Sequence, residues 1–93
     1  MKIYAVCGHG LGSSFMLEKN IKTVMTKIGQ EAEVSHIDLA SVTNNLADIF
    51  VVGQDLAPGI TGKVDAHKVV VLKSIIAKAE LEEKLTQWLA DNA

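Results

Sequence analysis

Residues 2–14 read KIYAVCGHGLGSS. Lys2 to Val6 is short, β-branched and aromatic, and Cys-Gly closes it, so it reads as a strand. Glycines follow at positions 8, 10 and 12, then Ser13 and Ser14. Beyond the serines a helical period begins. Leu17, Ile21, Val24, Met25 and Ile28 fall at i, i+4, i+7, i+8 and i+11, one face of a helix. Ser13 or Ser14 is the expected N-cap, with Glu18 near the first turn. Lys27 falls in the last turn and Gly29 is the expected C-cap. A strand, a glycine turn and a helix in immediate succession are the first half of a βαβ unit.

The rest of the chain continues that alternation. Ala32 to Ile37 reads as a weaker strand, and the polar Asp38–Asp48 stretch as a short helix or irregular crossover. Ile49 to Val52 (IFVV) is a continuous apolar run before Gly53, as in a strand buried on both faces. GQDLAPGITGKVD, residues 53–65, is loop-like, with three glycines and the only proline. Val69 to Leu72 reads as a fourth strand. From about Ala77 a helix returns, with Leu81, Leu85, Trp88 and Leu89 at i, i+4, i+7 and i+8. The expected fold is a single-domain α/β three-layer sandwich over residues 1–93. Its four-stranded parallel sheet has the order 2-1-3-4, with helices on both faces in a Rossmann-like arrangement.

Composition narrows the function. The chain has 93 residues, 48% of them apolar, enough for one packed core. A net charge of −2 gives no basic stripe, so no nucleic-acid partner is expected. One cysteine excludes an intramolecular disulfide framework and fits a reducing compartment. MKIYAV is too short for a signal peptide, and no run reaches the roughly 18 apolar residues of a spanning helix. The expected location is the cytoplasm.

The chemistry concentrates at Cys7. In this fold the ligand site lies beyond the carboxyl ends of the strands, where strand order reverses. Glycines let successive N–H groups turn inward as an anion nest, and the helix N-terminus adds to it. That surrounding favours the thiolate of Cys7 and holds the oxygens of a phosphoryl group on its sulfur. Gly8, His9, Gly10, Leu11, Gly12, Ser13 and Ser14 form the candidate phosphate loop. No GxGxxG dinucleotide fingerprint occurs, and Gly12 is followed by serine rather than the lysine of a nucleotide P-loop. Small tyrosine phosphatases have arginine six positions beyond the cysteine, after five intervening residues. Here that position is Ser13, so the bidentate group that would stabilise attack by water is missing. A phosphothiol can then wait for a chosen acceptor.

At this point a resemblance is visible. YAVCGHGLGSSFMLEKNIK resembles the start of IIB components of the sugar phosphotransferase system (PTS), of the ascorbate-type branch, near the galactitol and lactose branches. It is strongest over residues 3–28 and continues through ADIFVVGQDLA, residues 47–57. The resemblance implies that Cys7 takes a phosphoryl group from a phosphohistidine of a IIA protein. It also implies delivery to a sugar, L-ascorbate in that branch, carried by a membrane IIC permease. The fold it implies is related to low-molecular-weight tyrosine phosphatases. No cofactor is implied.

Other readings stay beside it: a small cysteine-dependent phosphatase, a non-catalytic anion-binding module, and a thiol-redox protein that lacks a second cysteine. Phe15 and Met16 lie off the apolar stripe of the helix. Exposed, they form a docking patch for IIA or IIC; buried, they fill space against the second strand. His9 is a general acid, a phosphate-facing cation or simply a solvent-exposed loop residue. Asp55 reads as a solvated loop residue or helix cap. His36 and His67 match no metal-ligand spacing and read as structural.

Overall fold

A computed structural model describes residues 1–7, 11–74 and 77–92. Strand β1 (Lys2–Cys7) leads to helix α1 (Leu11–Lys27) and strand β2 (Glu33–Asp38). A 3₁₀ turn at Leu39–Ser41 follows, then β3 (Ile49–Gly53), the four-residue helix α2 (Ala57–Ile60) and a second 3₁₀ turn at Ala66–Lys68. Strand β4 (Val69–Leu72) and helix α3 (Lys78–Asp91) end the fold. The sheet is parallel, in the order β2-β1-β3-β4. The expected strand count, order and direction therefore hold, and the four strands lie within a residue or so of their expected positions.

Alternation along each strand divides the core in two. Ile3, Ala5, Val34, Ile49, Val51, Val70 and Leu72 face α1 and α3. There they meet Leu17, Ile21, Val24 and Met25 of α1 and Leu81 and Leu85 of α3. Val6, Phe50 and Val52 point to the other face, against Val42, Ala47, Ile60 and Val64. All five residues of β3 are buried, which is why its sequence shows no polar alternation. Tyr4 stacks on Phe50 with ring centroids 6.2 Å apart.

The two faces are covered unequally. Both long helices lie on one face, while α2 and the connecting loops cover the other. The Asp38–Asp48 crossover has one 3₁₀ turn and no α-helix. Backbone and side-chain bonds hold it instead. Asn44 accepts the Asp65 N–H at 2.9 Å, Lys68 donates to the Asn44 carbonyl at 2.8 Å, and the Lys2 N–H donates to Asp48 at 2.8 Å.

The C-terminus of α1 closes as expected. Gly29 has φ +76°, its N–H bonds the Thr26 carbonyl, and the Gln30 N–H bonds the Met25 carbonyl. That pair of bonds is a Schellman motif, which needs a residue tolerant of left-handed backbone. The N-terminus differs from expectation. Helix α1 begins at Leu11, so Ser13 and Ser14 lie inside its first turn rather than capping it. Glu18 is then the eighth helical residue, two turns in, beyond the reach of the N-terminal partial charge.

Candidate functional site

The site is built from the carboxyl edge of the sheet. β1 lies between β2 and β3, and the chain moves to opposite sides of it in turn. Strand order therefore reverses at β1, where open α/β sheets form their ligand crevice. Cys7 is the last residue of that strand, paired in register with Asp38, the last residue of β2. Helix α1 starts four positions after Cys7, so its N-terminal N–H groups belong to the same edge. Gly8, His9 and Gly10 lie outside the described residues, as do the side chains of Cys7, Leu11, Gly12, Ser13 and Ser14.

The walls of this edge are well tied. Ser41 donates its hydroxyl to both oxygens of Asp38, at 3.0 and 3.1 Å. Lys63 donates to the Leu39 carbonyl at 3.0 Å, linking the turn after β2 to the segment after α2. A Cβ on Gly59 would come within 2.8 Å of Leu39 Cδ2, so α2 approaches that turn closely. Asp55 is exposed in the turn leading to α2, and Leu56 rather than Asp55 is the N-cap.

Phe15 and Met16 are 56% and 51% exposed. Phe15 is not loose, however. Its ring lies against the His36 imidazole, with centroids 4.7 Å apart and planes tilted by 57°. Glu18 Oε1 holds His36 Nδ1 at 3.0 Å, and its Oε2 pairs with Lys22 Nζ at 3.6 Å. Sequence reasoning set His36 aside as structural and used Glu18 only for the helix dipole. Period-two counting along β2 held the missing signal: His36 shares a face with buried Val34, the face that α1 covers.

On the far side, Glu80 at the start of α3 accepts the N–H groups of Lys73 and Ser74, at 2.9 to 3.1 Å. Those bonds to the ionised form hold its carboxyl below the usual glutamate range, and Lys84 adds to the effect. Among the described residues no group of three His, Cys, Asp or Glu side chains is arranged to hold a metal ion. No described helix is long and apolar enough to cross a membrane.

Comparison with solved structures assigns the class first. The chain superimposes on the solution structure of a low molecular weight protein tyrosine phosphatase from Bacillus subtilis. The TM-score is 0.64 over 98% of both chains, at 18% sequence identity. At that identity the likeness establishes a shared α/β fold and nothing of activity. The family follows from the sequence: residues 2–87 match the family model described as PTS system, Lactose/Cellobiose specific IIB subunit. The chain belongs to this IIB family, whose members serve in sugar phosphotransfer alongside IIA and IIC proteins. No curated protein sequence matches it significantly.

Proposed function

We propose that the protein is a phosphocarrier in which Cys7 accepts a phosphoryl group from a phosphohistidine of a IIA protein. It then passes that group to a sugar held by a IIC permease. The observation that supports this best is the place of Cys7, at the end of the central strand where strand order reverses, just before α1. Membership of the IIB family supports the same direction.

In the first step the Cys7 thiolate attacks phosphorus. The S–P bond forms, the P–N bond to the donor imidazole breaks, and the nitrogen keeps the electron pair. In the second step a sugar hydroxyl attacks the phosphocysteine. The O–P bond forms, the S–P bond breaks, the thiolate is restored and the hydroxyl proton leaves to a base or to water. Backbone N–H groups of residues 8–14 and the N-terminus of α1 cradle the phosphoryl oxygens through both steps. Positioning and fixed dipoles supply the catalysis. Ser13, in the place of a phosphatase arginine, disfavours attack by water. The exposed pair Phe15 and Met16 beside the loop receives the protein partners. The whole chain acts as one carrier domain in the cytoplasm and meets the membrane only through IIC.

The sugar is read as L-ascorbate from the resemblance of residues 3–28 to the ascorbate branch. The family description names lactose and cellobiose, so acceptor assays with each sugar and its IIC distinguish the branches. The central test is phosphoryl mapping. The protein is incubated with labelled phosphoenolpyruvate, the general phosphotransferase proteins and its IIA. Label on Cys7, absent in Cys7→Ser, is expected. No label beside an active, phosphorylated IIA overturns the reading. Rapid hydrolysis of an aryl phosphate without partners replaces it with a phosphatase.

A further inference from the structure

The sheet has two edges, β2 and β4, and they are protected by different means. Edge strands expose backbone groups that invite pairing with another chain. β2 carries its own deterrents, with Glu33, His36 and Asp38 along six residues. β4 carries only its shortness: the four residues Val69, Val70, Val71 and Leu72 are all apolar, with no proline and no charge. Its composition does nothing to discourage a neighbour.

Its outward groups can be identified from one bond. The Leu72 carbonyl accepts the Gln54 N–H at 2.9 Å and therefore faces β3. By alternation, the Val71 carbonyl and the Lys73 N–H face away from the sheet. Both are occupied from α3. Lys84 donates to the Val71 carbonyl. Glu80 accepts the Lys73 N–H at 2.9 Å. Just before the strand, Trp88 Nε1 donates to the His67 carbonyl at 2.6 Å. Glu80, Lys84 and Trp88 are spaced four apart on one line of α3. The Glu80–Lys84 ion pair, at 3.2 Å, joins the first two.

We infer that this line of α3 is a lock on the β4 edge, and that what it excludes is a second copy of the chain pairing β4 to β4. An isologous pair is the occupant such an edge would take, because one strand supplies both halves of an antiparallel ladder. The inference is independent of the phosphocarrier reading. It assigns α3 a polar task besides burying Leu81 and Leu85: keeping an apolar edge strand unpaired.

The test uses Lys84→Met, which keeps the aliphatic stem and removes the donor, and Trp88→Phe, which removes the indole N–H. Lys84→Arg, which keeps a donor, is the control. Self-association is followed by sedimentation equilibrium across a concentration series, with circular dichroism to verify folding. Each folded donor-less variant is expected to self-associate about tenfold more tightly than the parent, and the Arg variant like the parent. The Val71 amide, which faces away from the sheet by the same alternation, should gain hydrogen-exchange protection in the associated form; the Val69 N–H already bonds the Ala66 carbonyl. If one variant fails to fold, the other carries the test. Folded variants that stay as monomeric as the parent overturn the inference. So does association without protection at Val71, or a parent that already pairs through β4.

Discussion

Phe15→Ala separates partner docking from folding, because Phe15 contributes little to the core. A phenylalanine side chain offers on the order of 200 Å², and 56% of the residue is exposed. About 110 Å² is therefore open to a partner, worth at most ~2.8 kcal/mol at ~25 cal/mol per Å² if wholly covered. Incomplete coverage and side-chain ordering remove about half of that, leaving ~1.4 kcal/mol, or about tenfold in affinity. The loss to folding is smaller, since the residue is more than half exposed and its ring rests against the half-exposed His36. The assay is phosphoryl transfer from phosphorylated IIA as a function of IIA concentration, beside a thermal melt. KM for IIA should rise about tenfold with kcat little changed, while Tm moves by no more than about 3 °C. An unchanged KM would remove Phe15 from the interface. A Tm drop much beyond that range would show that the ring is a packing element after all.

Two further outcomes concern stability. Gly29→Ala should cost ~1 kcal/mol, because φ is +76° there although no atom lies within 4 Å of a new Cβ. Gly62→Ala has the same open space without the positive φ, and should be neutral or slightly stabilising; equal urea midpoints for the two would refute the backbone argument. Glu80 has a folded-state pKa held below its ordinary value by the Lys73 and Ser74 N–H groups. Its contribution is therefore fully present above about pH 4.3 and is lost as pH falls through the lowered value. The Tm difference between parent and Glu80→Gln should be largest near neutrality and shrink in acid; a difference constant from neutral to acid pH would contradict the assignment.

Much of the fold was legible because its signals are local. The IFVV run at 49–52 announces a strand buried on both faces, and the stripe through Leu17, Ile21 and Val24 announces α1. Gly29 closes that helix by a backbone conformation that few other residues tolerate. The start of α1 was harder. Serine reads as an N-cap in isolation, yet the helix already begins at Leu11, ahead of Ser13 and Ser14. The crossover between β2 and β3 has no period to read, since it is held by long-range bonds such as Asn44 to Asp65.

The site divides along the same line. Sequence by itself determined that a lone cysteine ends the first strand and precedes a glycine-rich stretch and a helix. Those relations need only a few consecutive residues and the φ/ψ freedom of glycine. The strand order 2-1-3-4 expected from the alternation already made the cysteine's strand the one where sheet order reverses, and the sheet has that order; tertiary structure alone decided the contacts packed around it. It placed His36 against Phe15, and Glu80, Lys84 and Trp88 along the β4 edge. These contacts join residues brought close only by strand pairing and helix packing, so their partners are chosen by the assembled core.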